Sequence, residues 1–281
     1  MNLEKSENIL QKSFNRAFRG GTAGATAMVL QVGSLMWLRT TMNYQYRHGV
    51  STSVALRTLY SQGGIPRFYK GVVPALFQGP LSRFGDTAAN AGVITLLDSY
   101  SSTKNLPVFI KTLCASFTAG LWRIFLMPVD TLKTTLQVNG KEGMSLLKGK
   151  IQQNGFRVMY FGSLASFSAT YVGHFPWFFT YNYLNEKLPE YSGDRLKRFG
   201  RNALIGFSAS CVSDVSSNSI RVIKTTRQSQ KEVQSYLQII RGIVQEKGVN
   251  SLLFRGLKTR IISNGLQGMM FTVLWKYFMD L

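Results

Sequence analysis

Long uncharged stretches recur along the chain. Residues 20–38 contain no Asp, Glu, Lys or Arg, and neither do residues 158–185, which hold one histidine. A helix of about 20 apolar residues crosses a bilayer, so both runs are long enough. Four further runs are shorter or interrupted: 72–97 by Arg83 and Asp86, 112–129 by Arg123, 202–220 by Asp214, and 261–275. A charge inside a membrane helix is costly and turns toward a polar interior. The pattern therefore predicts an all-α membrane protein, its six transmembrane helices packed around water. Between the runs, residues 50–64, 144–155 and 233–248 read as short amphipathic helices that end on glycine and lie at the membrane surface.

The runs repeat in register. "WLRTTMN", "TLKTTLQ" and "VIKTTRQ" place Arg39, Lys133 and Lys224 at one position, with Asn43, Gln137 and Gln228 four residues on; the offsets are 94 and 91 residues. A second landmark ends at Gly71, Gly162 and Gly256, in "FYKG", "MYFG" and "LFRG". The distance from Gly71 to Pro128 is 57 residues, and so is that from Gly162 to Ser219. Small residues four apart form a third landmark: Gly21 and Ala25, Ala115 and Ala119, Gly206 and Ser210. Such stripes let membrane helices approach closely. The periodicity predicts one domain over residues 1–281, built of three pseudo-symmetric repeats near 14–104, 105–193 and 194–281.

Charge narrows the class. Lys and Arg number 33 against 13 Asp and Glu, a formal +20, yet only 16% of residues are charged. Soluble domains carry about 25%. A basic but charge-poor chain suits a membrane protein facing anionic lipid or anionic solutes, whereas a nucleic-acid binder spreads Lys and Arg more densely; no nucleic-acid partner is expected. Cys114 and Cys211 sit in apolar surroundings and read as buried free thiols. With only two histidines and no CxxC, no metal site is expected, and without a phosphate loop or nucleophile elbow neither is an enzyme or a cofactor. Residues 1–19 mix Glu4 and Glu7 with Lys5, Lys12, Arg16 and Arg19 and lack an apolar core, so no cleavable signal is expected.

With these landmarks in place the chain resembles the mitochondrial carrier family, over most of its length. "PVDTLK" matches that family's Pro-x-acid-x-x-base motif in full, and "FYKG" and "LFRG" match its aromatic-basic-Gly motif. The resemblance implies the mitochondrial carrier fold, with short helices on the matrix side and both termini on the cytoplasmic side. It also implies a proline that kinks each odd helix, and an acid that pairs with the base of the neighbouring repeat to close a matrix gate. Here the pattern degenerates: the proline, acid and base positions read Ser34, Met36, Arg39, then Pro128, Asp130, Lys133, then Ser219, Arg221, Lys224. One acid faces four bases, so at most one inter-repeat pair forms, Asp130 with Lys224, leaving Arg39 and Lys133 without carboxylates. Asn43, Gln137 and Gln228 hold the positions that brace such pairs. The cytoplasmic ion-pair motif is absent, its places taken by Asn90-Ala91, Tyr181-Asn182 and Trp275-Lys276.

The resemblance places substrate contacts seven and eight residues after each landmark glycine: Gln78 and Gly79, Ala169 and Thr170, Ser263 and Asn264. None is charged. Charges nearby, Arg83, Asp86, Arg123, His174 and Asp214, either cradle an amphoteric or anionic solute or neutralise one another, Arg83 with Asp86 and Arg123 with Asp214. Gly71, Gly162 and Gly256, at helix N-termini that attract phosphate, are the positions implied for lipid, cardiolipin in particular. The leading expectation is a monomeric solute carrier of the mitochondrial inner membrane working by alternating access. The alternative is a carrier-fold membrane adaptor or receptor without transport.

Overall fold

The computed structural model describes residue 26 and residues 28–191 and 193–280, apart from the side chains of residues 83, 87, 88, 90, 91, 94, 95, 99, 195 and 271–280. Gly21 and Ala25, and the side chains of Arg83, Asn90, Ala91, Trp275 and Lys276, therefore lie outside the described residues.

Among the described residues every regular element is helical. They run α1 (28–48), α2 (Thr52–Ser61), α3 (Gly64–Phe68), α4 (Val72–Ser99), α5 (Ser101–Lys104), α6 (Val108–Phe125), α7 (Met127–Asn139), α8 (Gly143–Asn154), α9 (Ser163–Lys187), α10 (Arg195–Ser229), α11 (Tyr236–Phe254) and α12 (Leu257–Asp280). The short helices start where capping residues dictate. Ser51 accepts from Val54 N ahead of α2, and Ser235 with Gln238 forms a reciprocal capping box ahead of α11. Gly248, at φ 74°, turns the chain within the span of α11, at the glycine where its amphipathic pattern stops.

Pro128 has a visible effect on the backbone. A proline lacks the N–H that an interior helix residue donates, so the helix divides: α6 ends at Phe125 and α7 begins at Met127, with proline in its first turn. Where the third repeat carries Ser219 instead, α10 continues unbroken for 35 residues, about 50 Å at helical rise. The kink expected of each repeat is thus confined to the one that keeps its proline.

The long helices close on themselves. The most extensive packing joins α9 to α10, α4 to α6 and α6 to α9, and α12 returns to α1 where Gln31 Nε2 donates to Gln267 O at 2.7 Å. Buried apolar side chains form separate small clusters: Val32, Met36 and Ala75 between α1 and α4, and Tyr46, Val222, Ile239 and Ile243 among α1, α10 and α11. No single core fills the bundle, because its middle is polar. Its outside is apolar: Phe175, Phe179 and Tyr183 lie exposed along one face of α9. Among the described residues one helix, Val108–Phe125, is both long and apolar enough to span a membrane by composition alone.

Two expectations are corrected here. Neither cysteine is buried: Cys114 is exposed and Cys211 half-buried, both as free thiols, since their apolar neighbours belong to the outer surface of the bundle. The small-residue stripe holds for Ala115 and Ala119, which are buried, but on α10 the buried positions are Ile205 and Ala209, leaving Gly206 and Ser210 half-buried.

Candidate functional site

A polar cavity of about 280 Å³ lies inside the bundle, and Arg39, Lys133 and Lys224, the three repeat-related bases, all line it. Pro128 starts α7 so that Asp130 and Lys133, one helical turn apart, face this space together. Asp130 is 6% exposed. Its Oδ2 lies 2.6 Å from Lys224 Nζ across on α10, and its Oδ1 lies 2.7 Å from Lys133 Nζ. The sequence assigned Lys133 no carboxylate. It obtains one because a spacing of three residues on a helix brings it over Asp130, and its Nζ also donates to Gln78 Oε1 at 3.1 Å.

The amides complete this floor. Gln228 Nε2 donates to Asp130 Oδ2 at 3.3 Å and to Thr131 Oγ1 at 3.0 Å. Gln137 Oε1 accepts from Asn43 Nδ2 at 2.5 Å, while its Nε2 reaches Met36 Sδ at 3.4 Å. The first repeat thus closes with a buried thioether and two amides where an ion pair would stand. Arg39 donates from Nε to Gln267 Oε1 at 3.0 Å, and from Nη2 to the same oxygen. Arg221, at the acid position of the third repeat, donates from Nε to Ser217 Oγ at 3.2 Å and makes no ion pair among the described residues.

Higher in the cavity the ion pairs differ from the sequence expectation. Arg123 Nη2 meets Asp86 Oδ2 at 2.6 Å, and its Nη1 donates to Ser82 Oγ. Asp214 is taken by Arg260 Nε at 2.6 Å on Oδ1 and by Asn264 Nδ2 on Oδ2. Pairing of Arg123 with Asp214 is therefore corrected: α6 packs on α4 and α10 on α12, so each carboxylate meets the base of its neighbouring helix. Arg83, the other base offered to Asp86, lies outside the described side chains. His174 Nδ1 is 2.7 Å from Ser116 Oγ, and Thr170 Oγ1 donates to Ser166 O at 3.0 Å; His174, Thr170, Gln78 and Asn264 all line the cavity. Ser263 does not. It is 1% exposed and accepts from Gln267 Nε2 at 2.5 Å, holding the amide that receives Arg39.

Arg260 and Gln267 line the cavity and were missed in the sequence. Arg260 stands directly before the last apolar run, so a scan for uncharged residues starts just past it. Gln267 sits eleven residues after Gly256, where Ser82 sits after Gly71, and both accept from an arginine of another helix. Among the described residues six cationic side chains line this space with one carboxylate, Asp130; Asp86 and Asp214 do not line it but pair with two of its arginines, Arg123 and Arg260.

Gly71, Gly162 and Gly256 directly precede α4, α9 and α12 and stand in the left-handed region, at φ 83°, 96° and 63°. Each also touches the next repeat: a Cβ on Gly71 would lie 2.9 Å from Lys133 O, on Gly162 3.2 Å from Lys224 Cγ, and on Gly256 2.9 Å from Tyr46 Cε1. The left-handed backbone favours glycine at all three, and at Gly71 and Gly256 a side chain would also have to displace a neighbour. Arg255, the base of the aromatic-basic-Gly motif at Gly256, is buried, its Nε on Ser251 Oγ at 2.7 Å and its guanidinium against Gly49. Where the second repeat lacks a base before Gly162, Arg227 of α10 lies over Phe161 at 5.1 Å.

The family described as "Mitochondrial carrier protein" matches residues 104–192 and 196–281. The chain is 28% identical over 144 residues, 51% of its length, to a mitochondrial carrier-like protein of Acanthamoeba polyphaga mimivirus, spanning 55% of that relative. It is 25% identical over 92% of its length to mitochondrial substrate carrier family protein Z of Dictyostelium discoideum, covering 90% of it. Against the calcium-binding mitochondrial carrier SAL1 of Saccharomyces cerevisiae identity is 32% over 44% of the chain, covering 24% of that protein.

Proposed function

Because this chain belongs to the mitochondrial carrier family, we propose that it moves a small anionic solute across the mitochondrial inner membrane by alternating access through the central cavity. The observation that carries the reading is the charge of that cavity: among the described residues six cations and one carboxylate, Asp130, line it, with Asp86 and Asp214 engaging two of the cations. Uncompensated cations in a low-dielectric site are costly unless a ligand of opposite sign shares it. A cavity of about 280 Å³ suits a solute the size of a small metabolite.

In this reading the chain is a single carrier domain of three repeats, near 14–104, 105–193 and 194–281, with six membrane spans built from α1, α4, α6 with α7, α9, α10 and α12. The floor of Arg39, Pro128, Asp130, Lys133, Gln137, Arg221, Lys224 and Gln228 is the matrix gate. Gln78, Arg123, Thr170, His174 and Asn264 form the binding wall, joined by Arg260, and Asp86 and Asp214 hold its two arginines. Lipid phosphate, cardiolipin included, is received at the backbone amides that follow Gly71, Gly162 and Gly256, and the carrier works as a monomer.

Purified protein in liposomes tests the reading. Uptake or exchange of labelled carboxylates or phosphates, reduced at least tenfold by Arg123→Gln or Arg260→Gln, is the expected result. Uptake confined to cations or neutral solutes would overturn the anionic assignment. No uptake of any solute, in protein that retains its fold, would favour the adaptor alternative.

A further inference from the structure

Arg221 stands where the gate motif of the third repeat calls for an acid, and its surroundings leave its charge unanswered. Its one described hydrogen bond, to Ser217 Oγ at 3.2 Å, uses Nε and not the terminal nitrogens. Asp214, the carboxylate whose charge acts on it, has both oxygens engaged, Oδ1 by Arg260 and Oδ2 by Asn264. Arg123, Lys224 and Arg260 add further positive charge around the same guanidinium. Among the described residues Nη1 and Nη2 have no hydrogen-bond partner and neither is fully buried, so both remain open to the cavity that Arg221 lines.

A planar guanidinium with two free N–H edges is built to take two oxygens of one carboxylate or phosphate. The other two acid positions are already satisfied. Met36 is fully buried and receives Gln137, and Asp130 is shared by Lys133 and Lys224. The floor is therefore complete in two sectors and short of one carboxylate in the third.

We propose that the transported anion supplies that carboxylate: its charged group docks on the open edge of Arg221, and the solute itself closes the third sector of the matrix gate. This rests on the carrier reading and adds to it the ligand group and the residue that holds it. The bound solute must carry at least one fully ionised oxyanion. It couples binding to closure, because the floor neutralises its excess charge only while the anion is present.

The test is the thermal transition of the detergent-purified protein, titrated with citrate, inorganic phosphate and, as a monovalent control, chloride. In the wild type, citrate or phosphate raises the transition and chloride at equal ionic strength does not; which of the two acts identifies carboxylate or phosphate. Arg221→Gln is expected to weaken that response at least tenfold in apparent affinity, and Arg221→Lys, which keeps charge but not the fork, to weaken it less. Arg221→Glu restores the protein's own acid, so the unliganded transition rises and the response disappears. An Arg221→Gln protein that responds as the wild type does, or a wild type indifferent to both oxyanions, would overturn the proposal. Liposome uptake separates the two readings: an Arg221-dependent shift without transport defeats the carrier function alone, and anion transport untouched by Arg221→Gln defeats the docking alone.

Discussion

Lys224 on α10 reaches across to Asp130 on α7, Nζ to Oδ2 at 2.6 Å, and this is the one inter-repeat ion pair among the described residues of the cavity floor. The same carboxylate also answers Lys133. Removing it leaves two lysines facing each other without a counter-charge. Asp130→Asn is expected to cost about 3–5 kcal/mol, the range for breaking a buried pair by deleting one partner. A fall in the thermal transition of the purified protein checks this, and an unchanged transition would show that the pair carries no stability.

The landmark glycines predict a contrast. Gly71 combines φ 83° with a carbonyl, Lys133 O, 2.9 Å from where a Cβ would stand. Gly71→Ala should destabilise by about 1–3 kcal/mol through backbone strain. Gly149, inside α8 with nothing within 4 Å of its missing Cβ, should respond oppositely, Gly149→Ala gaining about 0.5–1 kcal/mol from helix propensity. Paired thermal scans of the two variants test sign as well as size.

Lys150, on the surface helix α8, is 3% exposed and donates to Gln228 O at 3.1 Å, at the C-terminal end of α10. Burial, reinforced by the positive charge of Arg47, pushes its ammonium down to about 8 from 10.5. Between those values the unfolded chain holds a proton that the folded protein has released. Stability due to this group therefore rises with pH from about 8 to 10.5, by at most about 1.4 kcal/mol per pH unit. Transition temperatures of wild type and Lys150→Met over that window should show the wild type gaining on the variant as pH rises; parallel curves would refute the shift.

Pro128→Ser makes the second repeat read like the third, whose α10 passes its serine without a break. The variant is expected to join α6 and α7 into one helix. Spin-label distances between exposed sites on α6 and the far end of α7 should lengthen by a few ångströms, and uptake should fall as the floor loses its alignment. An unaltered distance would mean that tertiary packing, and not the proline, sets the bend.

Much of this molecule was legible as a string of residues. Uncharged runs pointed to a bundle of helices, because membrane length and close helix approach constrain composition directly, and the periods of 94 and 91 residues with glycines at equal offsets carried the resemblance to the family that the chain matches. The bases Arg39, Lys133 and Lys224 could be named for the same reason: repetition puts equivalent side chains at equivalent places. What the sequence could not decide was who pairs with whom. Arg123 chooses Asp86, and Asp214 chooses Arg260, because ion pairs depend on which helices are neighbours and on distances of a few ångströms, neither of which is encoded in local spacing. The burial of Arg255 against Gly49, and the open edge of Arg221 in the cavity near Asp214, whose oxygens are engaged elsewhere, were likewise settled only once the helices packed.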